Sequence, residues 1–293
     1  MKPVSLGDIT VHAIFEDAGA FLSPFEMMPA ATQEDVARHM SWLAPTWYDA
    51  AAGKLILQFQ SFIVRTPHHT ILIDSCIGED KQRANPHFHM RKWPWMNNLR
   101  ALGLAPEDID IVMCTHLHPD HVGWNTQLRD GRWVPTFPNA RYIFERSEYA
   151  HWEKESAAGA ARIGMTFIDS VLPVMEAGQA ELVDGDHEID HGIWLEPTPG
   201  HSPGHVVVNV ESQNRKAVFA GDLMHHPIQV PHPDWSTCFC WDMAMSSATR
   251  RKFVERHADT DTLIVPVHFA GETAGHIVER NGETRFRFLD GRG

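Results

Sequence analysis

The segment Cys114–Trp124, CTHLHPDHVGW, places His116, His118, Asp120 and His121 within six positions, directly after the apolar run IDIVM. Packing does not reward three imidazoles at that density, but a divalent cation does. Neutral imidazole and carboxylate are ligands of zinc and its borderline neighbours, and a set without thiolate suits a catalytic ion better than a structural one. Further along, three residues of the same chemistry stand alone: His201 after WLEPTPG, Asp222 after AVFAG and His268 after TLIVPV. Each follows what reads as a strand. Seven ligands exceed what one tetrahedral ion uses, so the pattern predicts two metals per chain.

Strands must position these residues. DITVHAIFED, KLILQFQSFIVRT and HTILIDS read as three early strands, DIDIVMCTH as the strand that ends in the histidine cluster, and IWLEPTPGH, GHVVVNVES, KAVFAGD and DTLIVPVHF as later ones. Their enrichment in Ile, Val, Leu and Phe fits sheets buried on at least one face. WMNNLRALGL reads as a helix closed by Gly103 and Pro106, RYIFERSEYAHWEKE as a strand running into a helix, and Gly164–Glu176 and MSSATRRKFVERHAD as further helices. Two halves of strands and helices predict an α/β (α+β) chain with two sheets packed face to face and helices outside. Strand ends that share one sheet edge would then gather ligands distant in sequence. The segment at about 80–95, DKQRANPHFHMRKWPW, has no periodicity and reads as a loop insertion over the site, with Trp93 and Trp95 at the apolar end of a substrate pocket. Its aromatics serve a homodimer interface equally well. Of the twenty histidines, His12, His39, His151, His187 and His257 read as ordinary packing or solvent-facing residues.

The length of 293 residues suits one elaborated domain, 1–293, and 43% hydrophobic residues with ten Trp and fifteen Phe are enough for a large core. A formal net charge of −13 argues against nucleic acid or an anionic membrane as partner and favours a small molecule. The N-terminus alternates apolar and polar residues where a secretory signal would be basic and then continuously apolar. No uninterrupted apolar run is long enough for a membrane span. Cys76, Cys114, Cys238 and Cys240 do not form the pattern of a disulfide framework, so the expected location is cytoplasmic.

THLHPDHVGW, TPGHSPGH, FAGDLM and VPVHF, in that order, resemble the metal-binding motifs of the metallo-β-lactamase superfamily, and the resemblance covers roughly residues 8–290. It implies a four-layer αββα sandwich of two mixed β-sheets flanked by helices. His116, His118 and His201 would bind one metal, Asp120, His121 and His268 the other, and Asp222 would bridge both together with a water or hydroxide. Zn2+ is the implied metal, with Mn2+, Fe2+ or Co2+ as alternatives. Two cations sharing a hydroxide lower its pKa toward neutrality while polarising the oxygen under attack. No serine or cysteine nucleophile is then needed, and the chain has no Gly-x-Ser-x-Gly.

Departures within the superfamily narrow the reading. An aspartate at 222, where true β-lactamases usually carry cysteine or another residue, favours the dinuclear hydrolases. The extra domain and basic surface of nuclease branches and the C-terminal helical appendage of glyoxalase II-like thioesterases have no counterpart here. The remaining likeness is to acyl-homoserine lactonases and methyl parathion hydrolase. Those lactonases often carry a tyrosine three residues past the bridging aspartate; here His225 stands there, making it the candidate donor to the substrate oxygen. The expected activity is dinuclear hydrolysis of a carboxylic ester or lactone, with Asp120, Asp222 and His225 as catalytic residues. A phosphotriesterase-like hydrolase is the alternative, and an iron-dependent sulfur dioxygenase of the same fold a more distant one.

Overall fold

The computed structural model describes residues 1–159 and 165–293. Contacts divide the chain into two compact units: a first of residues 2–17 and 59–190, and a second of residues 18–58 and 191–293 with Met1.

In the first unit, Thr70–Ile73, Ile111–Met113, Arg141–Glu145 and Ala180–Val183 run parallel, and Phe62–Arg65 joins them antiparallel. Ile71–Ile73, Ile111–Met113 and Tyr142–Phe144 are buried throughout. Parallel strands covered on both faces need unbroken apolar runs, and Ile111-Val112-Met113 and Ile71-Leu72-Ile73 have that character. The register pairs Ile73 with Met113, so both strands end at the same edge, where Asp74 N–H donates to Met113 O at 2.9 Å. Loops at the carboxyl ends of parallel strands are where such sheets collect ligands.

The second unit pairs Ile193–Pro197, Val206–Ser212 and Arg215–Gly221 antiparallel, and sets Leu263–Pro266 parallel to Arg215–Gly221. Gly221 faces Pro266 across that pair, so Asp222 and the segment leading to His268 leave the sheet together. The hairpin Gly275–Arg280 and Glu283–Phe288 follows. The helix Met243–His257 starts at Asp242, whose side chain accepts the Met245 N–H at 2.9 Å. Gly200, at φ +132°, lies against this helix start so closely that a Cβ would collide with the Ser246 backbone. Only glycine can deliver the chain to His201 there.

Segment 80–95 has no regular structure until Trp95 opens the helix Trp95–Ala101. It is nevertheless pinned. Arg83 donates twice to Asp169, at 2.6 and 2.9 Å, and buried Lys81 donates to Thr126 Oγ1 at 2.6 Å while stacking over Trp133. Burial pushes the Lys81 pKa down to about 7. Asp169 belongs to a π-helical turn, Phe167–Val171, that continues into Leu172–Glu176. That turn replaces the plain helix expected over Gly164–Glu176, of which Gly164 lies outside the described residues. Among the described residues no helix is long and apolar enough to cross a membrane.

Candidate metal-binding clusters

At the edge of the first unit, His116 Nε2 and His118 Nδ1 are 3.1 Å apart, and the His116 and His121 rings are 4.0 Å apart. Two nitrogens sharing one tetrahedral zinc with bonds of about 2.0–2.1 Å are separated by about 3.3 Å. The His116–His118 spacing therefore fits a shared cation. Asp120 Oδ1 lies 4.0 Å from His121 Nε2.

The other ring nitrogens are held from behind. His116 Nδ1 meets Thr115 Oγ1 at 3.2 Å, and His121 Nδ1 meets Asp74 Oδ2 at 2.9 Å. Asp74, at φ +56°, also accepts the Thr115 N–H at 2.8 Å and the Thr115 hydroxyl at 2.9 Å. From the helix Arg146–Ala157, buried Glu148 accepts Leu117 N–H at 3.0 Å and Trp152 Nε1–H at 2.6 Å, which fixes the backbone between the first two histidines. Outer partners of this kind set tautomer and ring orientation in metal sites.

The second unit centres on Asp222. His201 Nε2 and His225 Nε2 each lie 3.1 Å from its Oδ2, and His268 Nε2 lies 3.0 Å from its Oδ1. His268 Nδ1 is held by Gln58 O at 2.9 Å. His205 Nε2 accepts the Asp222 N–H at 3.0 Å, with its Nδ1 2.8 Å from Thr198 Oγ1. All these imidazoles are buried. Burial opposes a charge on His201, yet the adjoining Asp222 carboxylate prevails and lifts its pKa to about 9. At His225 burial dominates and pushes it down to about 3, so that ring is neutral. Three imidazoles converging on one buried carboxylate, with His268 braced from behind by Gln58 O, are a donor set that fits a divalent cation.

The structure thus groups His116, His118, Asp120 and His121 in one cluster and His201, Asp222, His225 and His268 in the other. His226 points elsewhere, its Nε2 2.9 Å from Trp47 O. Trp95 is a correction: it is fully buried, stacked on Trp124 at 5.3 Å and donating to Ser61 Oγ at 3.0 Å, so it belongs to the core and not to a substrate pocket. Both partners are distant in sequence, so the aperiodic stretch around Trp95 carries no local sign of them. Trp93 is about nine-tenths buried, near His87 and beneath Arg91. Asp74, Glu148, His205 and Cys240 were missed. Asp74, next to last in HTILIDS, and the second histidine of TPGHSPGH were visible signals for two of them.

The sequence profile of the metallo-beta-lactamase superfamily matches residues 57–276, about three quarters of the chain, and the protein belongs to that family. An N-acyl homoserine lactonase of Bacillus cereus is 31% identical over 116 residues, 39% of this chain and 38% of that protein. The N-acyl homoserine lactonase AttM of Agrobacterium fabrum is 32% identical over 122 residues, 41% of this chain and 43% of the relative. The match thus spans well under half the length of these curated relatives. Among solved structures, the hydrolase AbOPH superposes with a TM-score of 0.81 at 23% identity, covering 97% of this chain and 95% of its own. AidC, a dizinc quorum-quenching lactonase, superposes with a TM-score of 0.73 at 21% identity, covering 97% and 96%. The mixed sheets and helices are those of the metallo-β-lactamase fold, as the motifs implied.

Proposed function

We propose that the two clusters serve one centre holding two divalent cations, and that the chain is a metal-dependent hydrolase of lactones or carboxylic esters. His116, His118 and His201 hold one cation, Asp120, His121 and His268 the other, and Asp222 binds both. The observation that carries this reading is the division of Asp222: His201 stands at one carboxylate oxygen and His268 at the other, the arrangement a bridging carboxylate needs. The family profile, which runs through both clusters, supports joining them. Likeness to curated lactonases supports a lactone as substrate, and likeness to a dizinc lactonase supports zinc.

When bound, two such cations supply a hydroxide nucleophile at neutral pH and Lewis acidity toward the carbonyl oxygen. The chain's residues do the rest. Asp222 offsets the cationic charge, and the buried rings around it exclude competing water. His225, neutral and adjacent to Asp222, donates one N–H to the oxygen that gains charge; a preorganised donor of this kind commonly contributes about 10²- to 10³-fold in rate. Its contact with Asp222 makes carboxylate support the rival role. His225→Ala distinguishes them: a lower turnover number with full metal content marks the oxygen donor, and loss of metal marks the support.

A hydrolysis screen of metal-reconstituted protein over lactones, aryl esters and phosphotriesters tests the reading. Turnover of lactones or esters is expected. Preference for phosphotriesters would move the activity to that class, and oxygen uptake on a persulfide by an iron-loaded chain would replace hydrolysis altogether.

A further inference from the structure

We infer that Cys240 is a positioning residue for the proposed metal ligand His201, acting through a buried relay that reaches the ring's second nitrogen from Arg250 and Ser246. The inference rests on the metal-binding reading above. If Nε2 of His201 faces a cation, Nδ1 carries the proton and needs an acceptor. For His121, His268 and His116 that acceptor is an oxygen, from Asp74, Gln58 O and Thr115 in turn. For His201 it is a sulfur, with Cys240 Sγ 3.9 Å from Nδ1.

The sulfur is held in place on several sides. Cys240 is buried, its S–H donates to Ser246 Oγ at 3.3 Å, and Thr237 Oγ1 lies 3.5 Å away. Arg250, wholly buried, donates to Ser246 Oγ at 3.2 Å and to Leu223 O at 3.0 Å, Pro233 O at 2.9 Å and Ser236 Oγ at 2.8 Å. One guanidinium therefore ties the residue after Asp222 to the relay behind His201. The backbone closes the other side. Trp241 N–H donates to His201 O at 2.8 Å and Asp242 N–H to Gly200 O at 2.9 Å, while Gly200 brings the loop against Ser246. With its proton given to Ser246, the thiol presents lone pairs to His201. Sulfur is a weaker and longer acceptor than a carboxylate oxygen. His201 would therefore be oriented toward a cation by a softer contact than the one Asp74 gives His121. The two residues of the Cys-x-Cys pair thus differ in setting: Cys238 is exposed, and Cys240 is built into the site.

The test measures zinc binding to the purified chain by competition with a chromogenic chelator, with the cobalt(II) spectrum as a second readout and thermal unfolding as the check on folding. Cys240→Val fills the space without an acceptor and should weaken one of two sites about 10-fold or more, the usual effect of losing an outer partner, and leave the other unchanged. Cys240→Ser restores an acceptor and should recover most of that loss, while Cys238→Ala should bind as wild type does. Should Cys240→Val fail to fold, Ser246→Ala severs the relay one residue further out and should shift the same site in the same direction. Wild-type protein that binds two metals, with folded Cys240→Val or Ser246→Ala binding them equally well, overturns this inference alone. Serine losing as much affinity as valine also overturns it, since the effect is then packing. Wild-type protein that binds no stoichiometric metal overturns the metal-binding reading and this inference with it.

Discussion

Asp74→Asn changes a single atom and attacks the choice of tautomer at a proposed metal ligand. In the native chain, Asp74 Oδ1 accepts the Thr115 N–H at 2.8 Å and Oδ2 accepts from His121 Nδ1 at 2.9 Å, which keeps the ring proton on Nδ1 and the lone pair on Nε2, the atom that would face a cation. An asparagine keeps its carbonyl on the Thr115 N–H and turns its amide N–H2 toward His121. Nδ1 then becomes the acceptor, and the proton moves to Nε2, the atom needed for the metal. A hydrogen bond to a charged group contributes about 1.5–3 kcal/mol, which converts to about 10- to 150-fold in affinity. We expect the second metal to bind weaker by that amount while the first, on His116 and His118, is retained. Chelator competition on apo-protein reads both sites, and circular dichroism checks the fold. A folded Asp74→Asn chain with two wild-type affinities would refute the reasoning.

Three further outcomes follow from burial. Glu16 is buried and accepts from Ile77 N, Gly78 N and Trp124 Nε1, yet burial prevails and raises its pKa from 4.5 to about 8. A raised acid pKa contributes stability that is full below pH 4.5 and is lost as pH rises to about 8, so unfolding free energy should fall across that window by an amount on the order of a few kcal/mol. Glu16→Gln should flatten that decline in denaturant titrations at several pH values. Trp95→Ala should cost about 3–5 kcal/mol by leaving a cavity beside Trp124, read as a lower denaturant midpoint, with metal stoichiometry unchanged. Trp93→Ala, at the core's margin, should lower the denaturant midpoint by less than Trp95→Ala does and raise the Michaelis constant for substrates with bulky acyl or aryl groups, as measured over a chain-length series.

What was legible in the sequence was whatever short range encodes. Ile111-Val112-Met113 and Ile71-Leu72-Ile73 show parallel strands because burial on both faces forces continuous apolar runs, and His116, His118, Asp120 and His121 announce themselves by density. The hairpin Thr126–Arg129 and Arg132–Pro135 carried a readable signal that went unread: Asp130-Gly131 sits between the strands with φ of +49° and +76°, the conformation that Asp-Gly favours. The outer partners were hidden for a different reason. Asp74 reaches His121 through strand register, and Cys240 reaches His201 because Gly200 lets a loop touch a helix start. Neither distance has a local signature. Trp95 shows the converse: in an aperiodic stretch, nothing nearby says that Ser61 and Trp124 complete its surroundings.

The central claim is that Asp222 serves two cations, and elemental analysis of the purified chain beside its Asp222→Asn variant tests it most directly. The account predicts about two divalent metals per wild-type chain and loss of at least one in Asp222→Asn with folding retained. Asp234→Asn, an acid outside both clusters, should keep wild-type content. One tightly bound metal with full activity, or an Asp222→Asn variant that matches Asp234→Asn, would contradict it.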